Sequence, residues 1–345
     1  MPAGGIRVES ARYTGSARVS TAMQKQIALI IPYFGVLPTY FLHFVESVSH
    51  SPNIDVLLFT DARIEHAVPG NFKVYPYTLS EFNRLASRAL SIQVSARHPF
   101  KVNDFKPTYG ILFHEYIRDY EFWACGDIDV VHGDLAHFLA PLMRDNDIVS
   151  CRKGWFSGSL CMLRNRTEVN SAYTCSASWQ KCLTSPEYEC FEELGGRFFG
   201  EILKGADLRR VSQLNGNIDT FTHVIKRLAQ NGSLRCAFED LACEHLSWGE
   251  TLVYDGGKLT RSRDGSEVMY FHYVTMKRRF FEVPYTTTVP RRFYIRKTGI
   301  YTDRPGPRII CQQEGPRVFR GALSGFRRLP GRCFKTASHW SLRTS

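Results

Sequence analysis

The sequence predicts an α/β protein built around a mostly parallel β-sheet. Two uninterrupted apolar runs, residues 27–31 and 54–60, have the composition of strands buried on both faces. Apolar residues at helical spacing follow at 40–49 and, after a short third strand at 72–75, at 79–90. Strands that alternate with helices in this way are typical of parallel sheets.

Three segments are expected along the chain. Residues 1–25 form a flexible leader, residues 26–285 form one folded domain, and residues 286–345 form a basic, largely disordered tail. The length of the central segment is sufficient for a substantial core. Within it, the pattern predicts further strands at 120–126, 148–151, 159–163, 235–238 and 268–273, and helices at 109–116, 171–183 and 221–230.

The net charge of +11 is concentrated at the C-terminal end. Residues 290–345 carry 13 of the 44 lysines and arginines and only two of the 33 acidic residues, so the rest of the chain is neutral. Solvated disorder is the ordinary interpretation of such a tail. Contact with an anionic membrane surface is the next, because aromatic residues lie among the arginines. Nucleic-acid binding is not expected, since no recognisable binding motif accompanies the charge.

Cysteine usage and hydropathy indicate a cytoplasmic protein. The ten cysteines have irregular spacing and form no C-x-x-C pair, which favours free thiols in a reducing compartment over a zinc site. No apolar run approaches the roughly 18 residues that a membrane span requires. The N-terminus lacks the apolar segment of a signal peptide. Peripheral attachment at the inner face of the membrane, through the basic tail, is the expected membrane contact.

The motif with the clearest chemical meaning is Asp127-Ile-Asp129, which directly follows the apolar strand at 120–126. Carboxylates one residue apart at the end of a strand can share Mn²⁺ or Mg²⁺, and the cation can then bind a diphosphate. Ligands of open α/β sheets bind beyond the carboxyl ends of the strands, which is where this pair falls. A second Asp-x-Asp, at Asp145 and Asp147, is expected to be a polar turn before the next strand.

Five collinear stretches between residues 25 and 280 carry a family resemblance. They are IALIIPYFG from residue 27, LLFTD from 57, NDFKPTYG from 103, YEFWACGDIDVVHG from 120 and YFHY from 270. On these residues the chain resembles metal-dependent GT-A glycosyltransferases, and more closely a poorly characterised, mainly bacterial family of GT-A-like proteins. The resemblance implies a Rossmann-like GT-A domain. It also implies transfer of a sugar from a nucleoside diphosphate, with a UDP-sugar expected, to a glycan or lipid-linked glycan, as in polysaccharide biosynthesis.

The resemblance also implies a donor site. Its residues would be Pro32, Tyr33, Phe34, Asp61, Asp104, Lys106, Asp127 and Lys277. Tyr33 or Phe34 would stack on the nucleotide base, and Asp61 would face the base or the ribose. Asp104 would bind the ribose or the donor sugar, while Lys106 would offset phosphate charge. The structural alternatives are core packing for the aromatic residues, and a helix or turn cap, or the entrance of a helix, for the others.

The same resemblance implies a three-residue metal site. Asp129 would bind the cation directly, and Asp127 would touch the ribose or the cation through water. His272, on the last predicted strand, would complete the site, and Lys277 in the basic loop after it would hold the diphosphate. An imidazole is compatible with Mn²⁺, although a lone histidine on a strand is more often simply packed and hydrogen-bonded.

An inverting transfer needs a carboxylate that removes the proton of the acceptor hydroxyl. Glu193 is the preferred candidate, with Glu192 beside it, because their loop lies about as far beyond the metal motif as such bases usually do, and glycines at 195 and 196 permit close approach of a substrate. Asp240 is the rival, since Glu239-Asp240 follows a pattern of many inverting GT-A enzymes, and Asp219 is a third candidate. A retaining enzyme would need no such base. Residues 154–158 are expected to contribute to the acceptor region.

Two other classes of function fit part of the sequence. A phosphatase of the haloacid dehalogenase type also places Asp-x-Asp after an apolar strand, but on the first strand of its catalytic domain, whereas about 100 residues of the predicted folded domain precede the motif in this chain. A GT-A-shaped protein without turnover would bind a nucleotide sugar and not cleave it. The complete metal motif favours the enzyme over this non-catalytic alternative.

Overall fold

A computed structural model describes residues 26–195, 218–274, 283 and 288–306. The predicted leader, Lys277 and the greater part of the predicted tail lie outside these residues. The fold is mixed α/β with a large, mostly parallel sheet, as predicted. The strands are β1 (Ile27–Tyr33), β2 (Ile54–Thr60), β3 (Phe72–Pro76), β4 (Phe122–Gly126), β5 (Val130–His132), β6 (Ile148–Ser150), β7 (Leu160–Arg164), β8 (Cys236–Phe238), β9 (Ala242–Cys243), β10 (Thr251–Asp255), β11 (Lys258–Arg261), β12 (Tyr270–His272), β13 (Arg292–Arg296) and β14 (Gly299–Tyr301).

The helices cover the large sheet. They are α1 (Phe41–Ser49), α2 (Leu79–Leu90), α3 (Tyr109–Leu112), α4 (His114–Ile117), α5 (Leu135–Asp145), α6 (Thr167–Asn170), α7 (Trp179–Thr184) and α8 (Phe221–Gln230), with 3-10 segments at Pro99–Thr108 and Ala172–Cys175. The helix predicted at 171–183 is therefore wrong as a single element. A 3-10 turn and α7 replace it, and the chain between them is extended at Ser176.

The large sheet has the strand order β3-β2-β1-β4-β7-β6-β8. Strand β7 is antiparallel to both of its neighbours, and all other pairs are parallel. Side chains of β2 alternate between two cores, with Leu57 and Phe59 on one face and Val56 and Leu58 on the other. This burial on both faces is what the uninterrupted apolar run predicts.

The central strands bring the predicted site to one edge of the sheet. Strands β1 and β4 are parallel neighbours, with Ile30 opposite Cys125. Their carboxyl ends therefore lie side by side, so that Tyr33 at the end of β1 and Asp127 just after β4 share one edge. This is the edge at which open α/β sheets bind their ligands.

A small three-stranded sheet, in the order β5-β12-β9, joins this edge to the C-terminal half of the chain. Strand β12 pairs antiparallel with β5, which places His272 opposite Val130, and parallel with β9, which pairs Phe271 with Cys243. The next position after Cys243 is Glu244, so this register brings Glu244 beside His272. Pairings between segments so distant in sequence set the surroundings of Asp129.

A second small sheet, β11-β10-β13-β14, is antiparallel throughout. It packs on α1 and the residue that follows it, since Phe293 contacts His43 and Tyr254 contacts His50. Strands β13 and β14 lie at 292–301, inside the segment predicted to be a disordered tail. The ordered chain therefore extends past the predicted boundary at residue 285. The local sequence pattern does not indicate these strands. Phe293 and Ile295 lie among the basic residues of 291–297, and Ile300 belongs to a strand of only three residues.

The second Asp-x-Asp has a structural role. Asp147 is buried, whereas Asp145 is exposed at the end of α5. Asp147 lies 3.1 Å from the Arg166 guanidinium and 3.7 Å from those of Arg164 and Arg235, and it accepts a 2.8 Å hydrogen bond from the backbone N–H of Arg235. It is thus an ionic anchor between β6, β7 and β8 rather than a polar turn residue.

We expect Asp147→Asn to lower the free energy of unfolding by about 2–4 kcal/mol, measured by urea denaturation. Removing one member of a buried ion pair leaves the others uncompensated. The partial exposure of Arg166 and Arg235 keeps the effect toward the lower end of that range. The matched control is Asp145→Asn, which we expect to change stability by less than about 0.5 kcal/mol. Equal effects of the two substitutions would contradict the anchor assignment.

Candidate metal and donor site

A cavity of about 1280 Å³ lies over the carboxyl edge of β1 and β4. One part of its wall is the end of β1 and the residue after it, with Pro32, Tyr33 and Phe34. Asp127, Asp129 and His272 also line the cavity, as do Arg152, Trp155 and residues from the segments 188–193 and 240–245. The cavity is larger than most small-ligand pockets, and its volume suits a ligand of several rings.

Three ligand groups converge in this cavity. One ligand atom each from Asp127, Asp129 and His272 lies within 4.8 Å of the other two. The Nε2 atom of His272 is 3.5 Å from Oδ1 of Asp129 and 3.9 Å from Oδ2 of Asp127. Asp129 and His272 are buried, while Asp127 is partly exposed toward the cavity. Two carboxylates and an imidazole fit a divalent cation such as Mn²⁺, and the identity of the cation is open.

The electrostatics of His272 reflect the concentration of negative charge around it. Burial opposes a charge on the imidazole, but the attraction and hydrogen bond of Asp129 and the hydrogen bond of Glu244 raise the pKa of His272 to about 10. In the metal-free protein, the imidazolium therefore balances the charge of the carboxylates. A cation at this site would take over that balancing role.

Glu244 and Arg152 lie behind His272. The Nδ1 atom of His272 is 3.0 Å from Oε1 of Glu244, and Arg152 binds the other carboxylate oxygen of Glu244. The Arg152 guanidinium also donates a 3.0 Å hydrogen bond to Asp240. Burial alone would raise the pKa of Glu244, but His272 and Arg152 lower it to about 2. Glu244 is therefore a carboxylate that is held between two cationic partners.

Lys106 connects the metal residues to the predicted catalytic loop. Its buried Nζ donates a 2.6 Å hydrogen bond to Oδ1 of Asp127 and a 2.8 Å hydrogen bond to the carbonyl oxygen of Gly158. The backbone N–H of Gly158 in turn donates to Oε1 of Glu193 at 2.9 Å. Lys106 thus fixes the orientation of Asp127, and its charge is already paired with a carboxylate. The implied contact of Lys106 with a phosphate is therefore not supported by its geometry.

The loop that carries Glu192 and Glu193 is shaped by backbone conformation. Cys190 has φ of 56°, in the left-handed region that costs a non-glycine residue about 1–2 kcal/mol, and Gly195 has φ of 81°. A hydrogen bond from the N–H of Gly195 to the carbonyl oxygen of Cys190 closes this turn. Both glutamates line the cavity as a result.

The two glutamates have different environments. Burial raises the pKa of Glu193 to about 7, and Glu193 remains partly exposed to the cavity. Glu192 is buried and accepts a 2.6 Å hydrogen bond from the hydroxyl of Tyr188. Burial, together with the charges of Asp104 and Glu193, holds the pKa of Glu192 well above its usual range. A neutral Glu192 is a poor proton acceptor, so Glu193 is the better candidate of the two for the base.

Asp104 does not reach the cavity. It is fully buried, and its two carboxylate oxygens accept hydrogen bonds from Lys101 Nζ at 2.8 Å and from the backbone N–H groups of Glu189 and Phe191 at 2.9 and 2.7 Å. The implied contact of Asp104 with ribose or donor sugar is corrected accordingly. Because all of its contacts are internal, Asp104 serves to hold the loop that carries Glu193.

The turn after β1 offers one aromatic face. Phe34 is buried against Phe82, whereas Tyr33 is partly exposed, and its hydroxyl donates a 3.0 Å hydrogen bond to the carbonyl oxygen of Val36. Asp61 is exposed and accepts a 2.7 Å hydrogen bond from the N–H of Gly35, and it is not part of the cavity wall. Within the cavity wall, Tyr33 is therefore more available to a ligand than the buried Phe34.

The remaining acidic candidates are engaged elsewhere. Asp240 lines the cavity but is exposed and paired with Arg152. Asp219 lies outside the cavity wall, where it binds the guanidinium of Arg227 through both carboxylate oxygens and caps the N–H of Ala177. The third base candidate is therefore corrected to a structural residue. In the predicted acceptor segment, Trp155 lines the cavity, and Phe156 is a core residue packed on Phe221.

One family of known proteins matches the part of the chain that contains this site. Residues 29–304 match a family described as a family of unknown function, DUF6625. The chain belongs to this family. The match begins within β1 and ends after β14, so the whole candidate site of this DUF6625 protein lies inside the family region.

Other comparisons add little for the DUF6625 protein. A crystal structure of mouse xyloside xylosyltransferase 1 in its apo form is similar at 7% sequence identity, covering 72% of this chain and 98% of that chain with a TM-score of 0.31. A TM-score this low carries no argument about function. No curated protein matches the chain. Of the helices in the described ranges, none combines the length and apolar character needed to cross a bilayer.

Two polar residues of the site in this DUF6625 protein, Glu244 and Arg152, were not predicted from the sequence. Both lie in segments without a motif, and Glu244 follows a strand of only two residues. The pairing of β9 with β12 is what brings Glu244 to His272, and no local pattern indicates that pairing. The one available signal was an unexplained carboxylate in the acidic segment 239–244.

Proposed function

We propose that this protein is a metal-dependent glycosyltransferase that moves a sugar from a nucleoside diphosphate, with a UDP-sugar as the expected donor, to a glycan or lipid-linked glycan. The observation that carries the proposal is the convergence of Asp127, Asp129 and His272 in a large cavity that also contains Glu193. A cation site alone would fit many functions. A cation site with a partly exposed carboxylate of raised pKa in the same cavity fits group transfer.

In this proposal, Asp127, Asp129 and His272 would hold Mn²⁺ or Mg²⁺, which would supply Lewis acidity against the charge on the departing nucleoside diphosphate. Asp129 and the Nε2 atom of His272 would hold the cation from the buried side of the cavity. Asp127 would contribute its Oδ2 atom, because its Oδ1 atom accepts the hydrogen bond from Lys106. Tyr33 would stack on the nucleotide base at the end of β1.

Glu193 would act as the base in an inverting transfer. Its carboxylate would take the proton of the acceptor hydroxyl while that oxygen attacks the anomeric carbon and the bond from this carbon to the diphosphate breaks. The hydrogen bond from the N–H of Gly158 fixes one carboxylate oxygen, which leaves the other oxygen for the acceptor. Trp155 lines the same cavity and would offer an aromatic face to a sugar ring.

The partners and location remain proposals as well. A glycan or lipid-linked glycan acceptor fits a cavity with room beyond the donor. Contact of the basic tail with the anionic inner face of the membrane would bring a cytoplasmic enzyme close to such acceptors. The tail residues 307–345 that would make this contact lie outside the described part of the chain.

A thermal-shift screen of UDP-, GDP-, CMP- and dTDP-sugars, with and without Mn²⁺, tests the proposal. We expect a UDP-sugar to stabilise the protein only when Mn²⁺ is present, by about 2.7 kcal/mol at a concentration of 100 times Kd. Release of phosphate from simple phosphomonoesters, without any nucleotide-sugar shift, would favour the phosphatase instead. A shift without donor cleavage under any acceptor would favour the non-catalytic binding protein.

A further inference from the structure

The cavity wall contains a chain of charged side chains that the proposed transfer does not use directly. It runs from Asp240 through Arg152 and Glu244 to the Nδ1 atom of His272. The other ring nitrogen of His272, Nε2, faces Asp127 and Asp129. The histidine is therefore held from behind by one carboxylate and presents its second nitrogen to the proposed cation site.

Both oxygens of Glu244 have assigned directions. Oε1 faces His272 at 3.0 Å, and Oε2 faces the guanidinium of Arg152. Arg152 is itself mostly buried, and its guanidinium lies 5.5 Å from the Trp155 ring, which limits the positions it can adopt. Glu244 is thus directed at the histidine and the arginine. It faces Nδ1 of the imidazole, whereas Asp127 and Asp129 face Nε2.

This arrangement has a defined chemical effect on the histidine. A hydrogen bond from Nδ1–H to a carboxylate fixes the orientation of the ring and leaves the lone pair on Nε2 for the cation. We infer that Glu244, clamped by Arg152, is a positioning residue that orients His272 for cation binding. The inference rests on the proposed metal site, and it assigns to Glu244 no contact with the cation.

The competing explanations make different predictions for a double-mutant cycle. If Glu244 acts through His272, the loss of Glu244 matters only while His272 is present. If Glu244 binds the cation itself, or simply contributes negative charge, its loss weakens binding equally in both backgrounds. Glu239, an exposed carboxylate of the same segment, is a matched control for charge alone.

The experiment measures Mn²⁺ affinity of the full-length protein by calorimetry, without nucleotide. We expect Glu244→Ala to weaken binding roughly 10- to 100-fold, the usual effect of removing a partner of a metal-bound histidine. Glu244→Gln should fall between Glu244→Ala and the wild type, because its amide oxygen can still accept from Nδ1. Glu239→Ala should bind as the wild type does. In a His272→Ala background, Glu244→Ala should cause no further loss.

The outcomes distinguish a failure of the proposed metal site from a failure of the positioning role of Glu244. If the wild type binds no Mn²⁺, or if His272→Ala binds as tightly as the wild type, the metal site and the positioning role both fail. If His272→Ala weakens binding but Glu244→Ala does not, only the positioning role is overturned. An equal further loss from Glu244→Ala in the His272→Ala background would also overturn it. Glu244→Gln, which keeps the side-chain volume, decides the matter if Glu244→Ala does not fold.

Discussion

Asp129→Ala is expected to weaken Mn²⁺-dependent binding of a nucleoside diphosphate by more than about 100-fold. This loss exceeds the effect of removing a residue that only hydrogen-bonds to a metal ligand. Asp129 is buried, and its Oδ1 atom lies 3.5 Å from the Nε2 atom of His272, so the substitution removes a direct ligand of the proposed cation site. Calorimetry with UDP, with and without Mn²⁺, measures the effect. The fold should remain, because Glu244 and Asp127 still offset the charge of His272 when Asp129 is removed.

Asp145→Ala is the matched control for this substitution. It removes the first aspartate of the other Asp-x-Asp, which is exposed at the end of α5 and outside the cavity wall. Affinity for UDP with Mn²⁺ should match that of the wild type. Wild-type affinity in Asp129→Ala as well would remove the basis of the proposed metal site.

Glu193→Gln is expected to lower kcat by about 10²- to 10⁴-fold, the usual contribution of a general base. The amide oxygen of glutamine can still accept the hydrogen bond from Gly158, so the loop should stay in place while the ability to take a proton is lost. Binding of UDP with Mn²⁺ should change little. Initial rates with the donor and acceptor identified by the screen provide the measurement.

The pH dependence gives a second readout of the same residue. Burial raises the pKa of Glu193 to about 7, and a base acts only in its deprotonated form. In the wild type, kcat/KM should therefore rise with pH up to about 7 and level off above it. Glu193→Gln should lose this rise. Glu192→Gln is the control, and we expect it to retain the rise, since the neutral carboxyl of Glu192 accepts a hydrogen bond from Tyr188 and takes no proton. A retained profile in Glu193→Gln would assign the base elsewhere or indicate a retaining enzyme.

Local pattern was sufficient for the strands of the large sheet and for several of its helices. Strand β2 and helices α2 and α8 lie where the sequence predicted them, because a doubly buried strand and an amphipathic helix each have a strong periodic signal. Helix α2 also has a capping box, in which Thr78 and Glu81 bond each other's backbone N–H groups. Such signals are contained within about a dozen residues.

The strands of the small sheets were the difficult part. Strands β9 and β14 have two and three residues, and their stability comes from pairing with distant segments rather than from their own composition. For the same reason, the sequence identified Asp127 and Asp129 by their position after β4 but could not identify Glu244. It also assigned Asp104 to the ligand, because a buried aspartate and an exposed one look the same without knowledge of the fold.

The three-stranded sheet has a consequence for how the protein matures. The acidic pair and His272 are separated by more than 140 positions in the chain, and only the pairing of β5 with β12 unites them. A nascent chain whose β12 has not yet left the ribosome therefore has both aspartates but lacks His272. The proposed cation site would be complete only after β12 pairs with β5, so a bound cation would stabilise the assembled domain and not the earlier stages of folding.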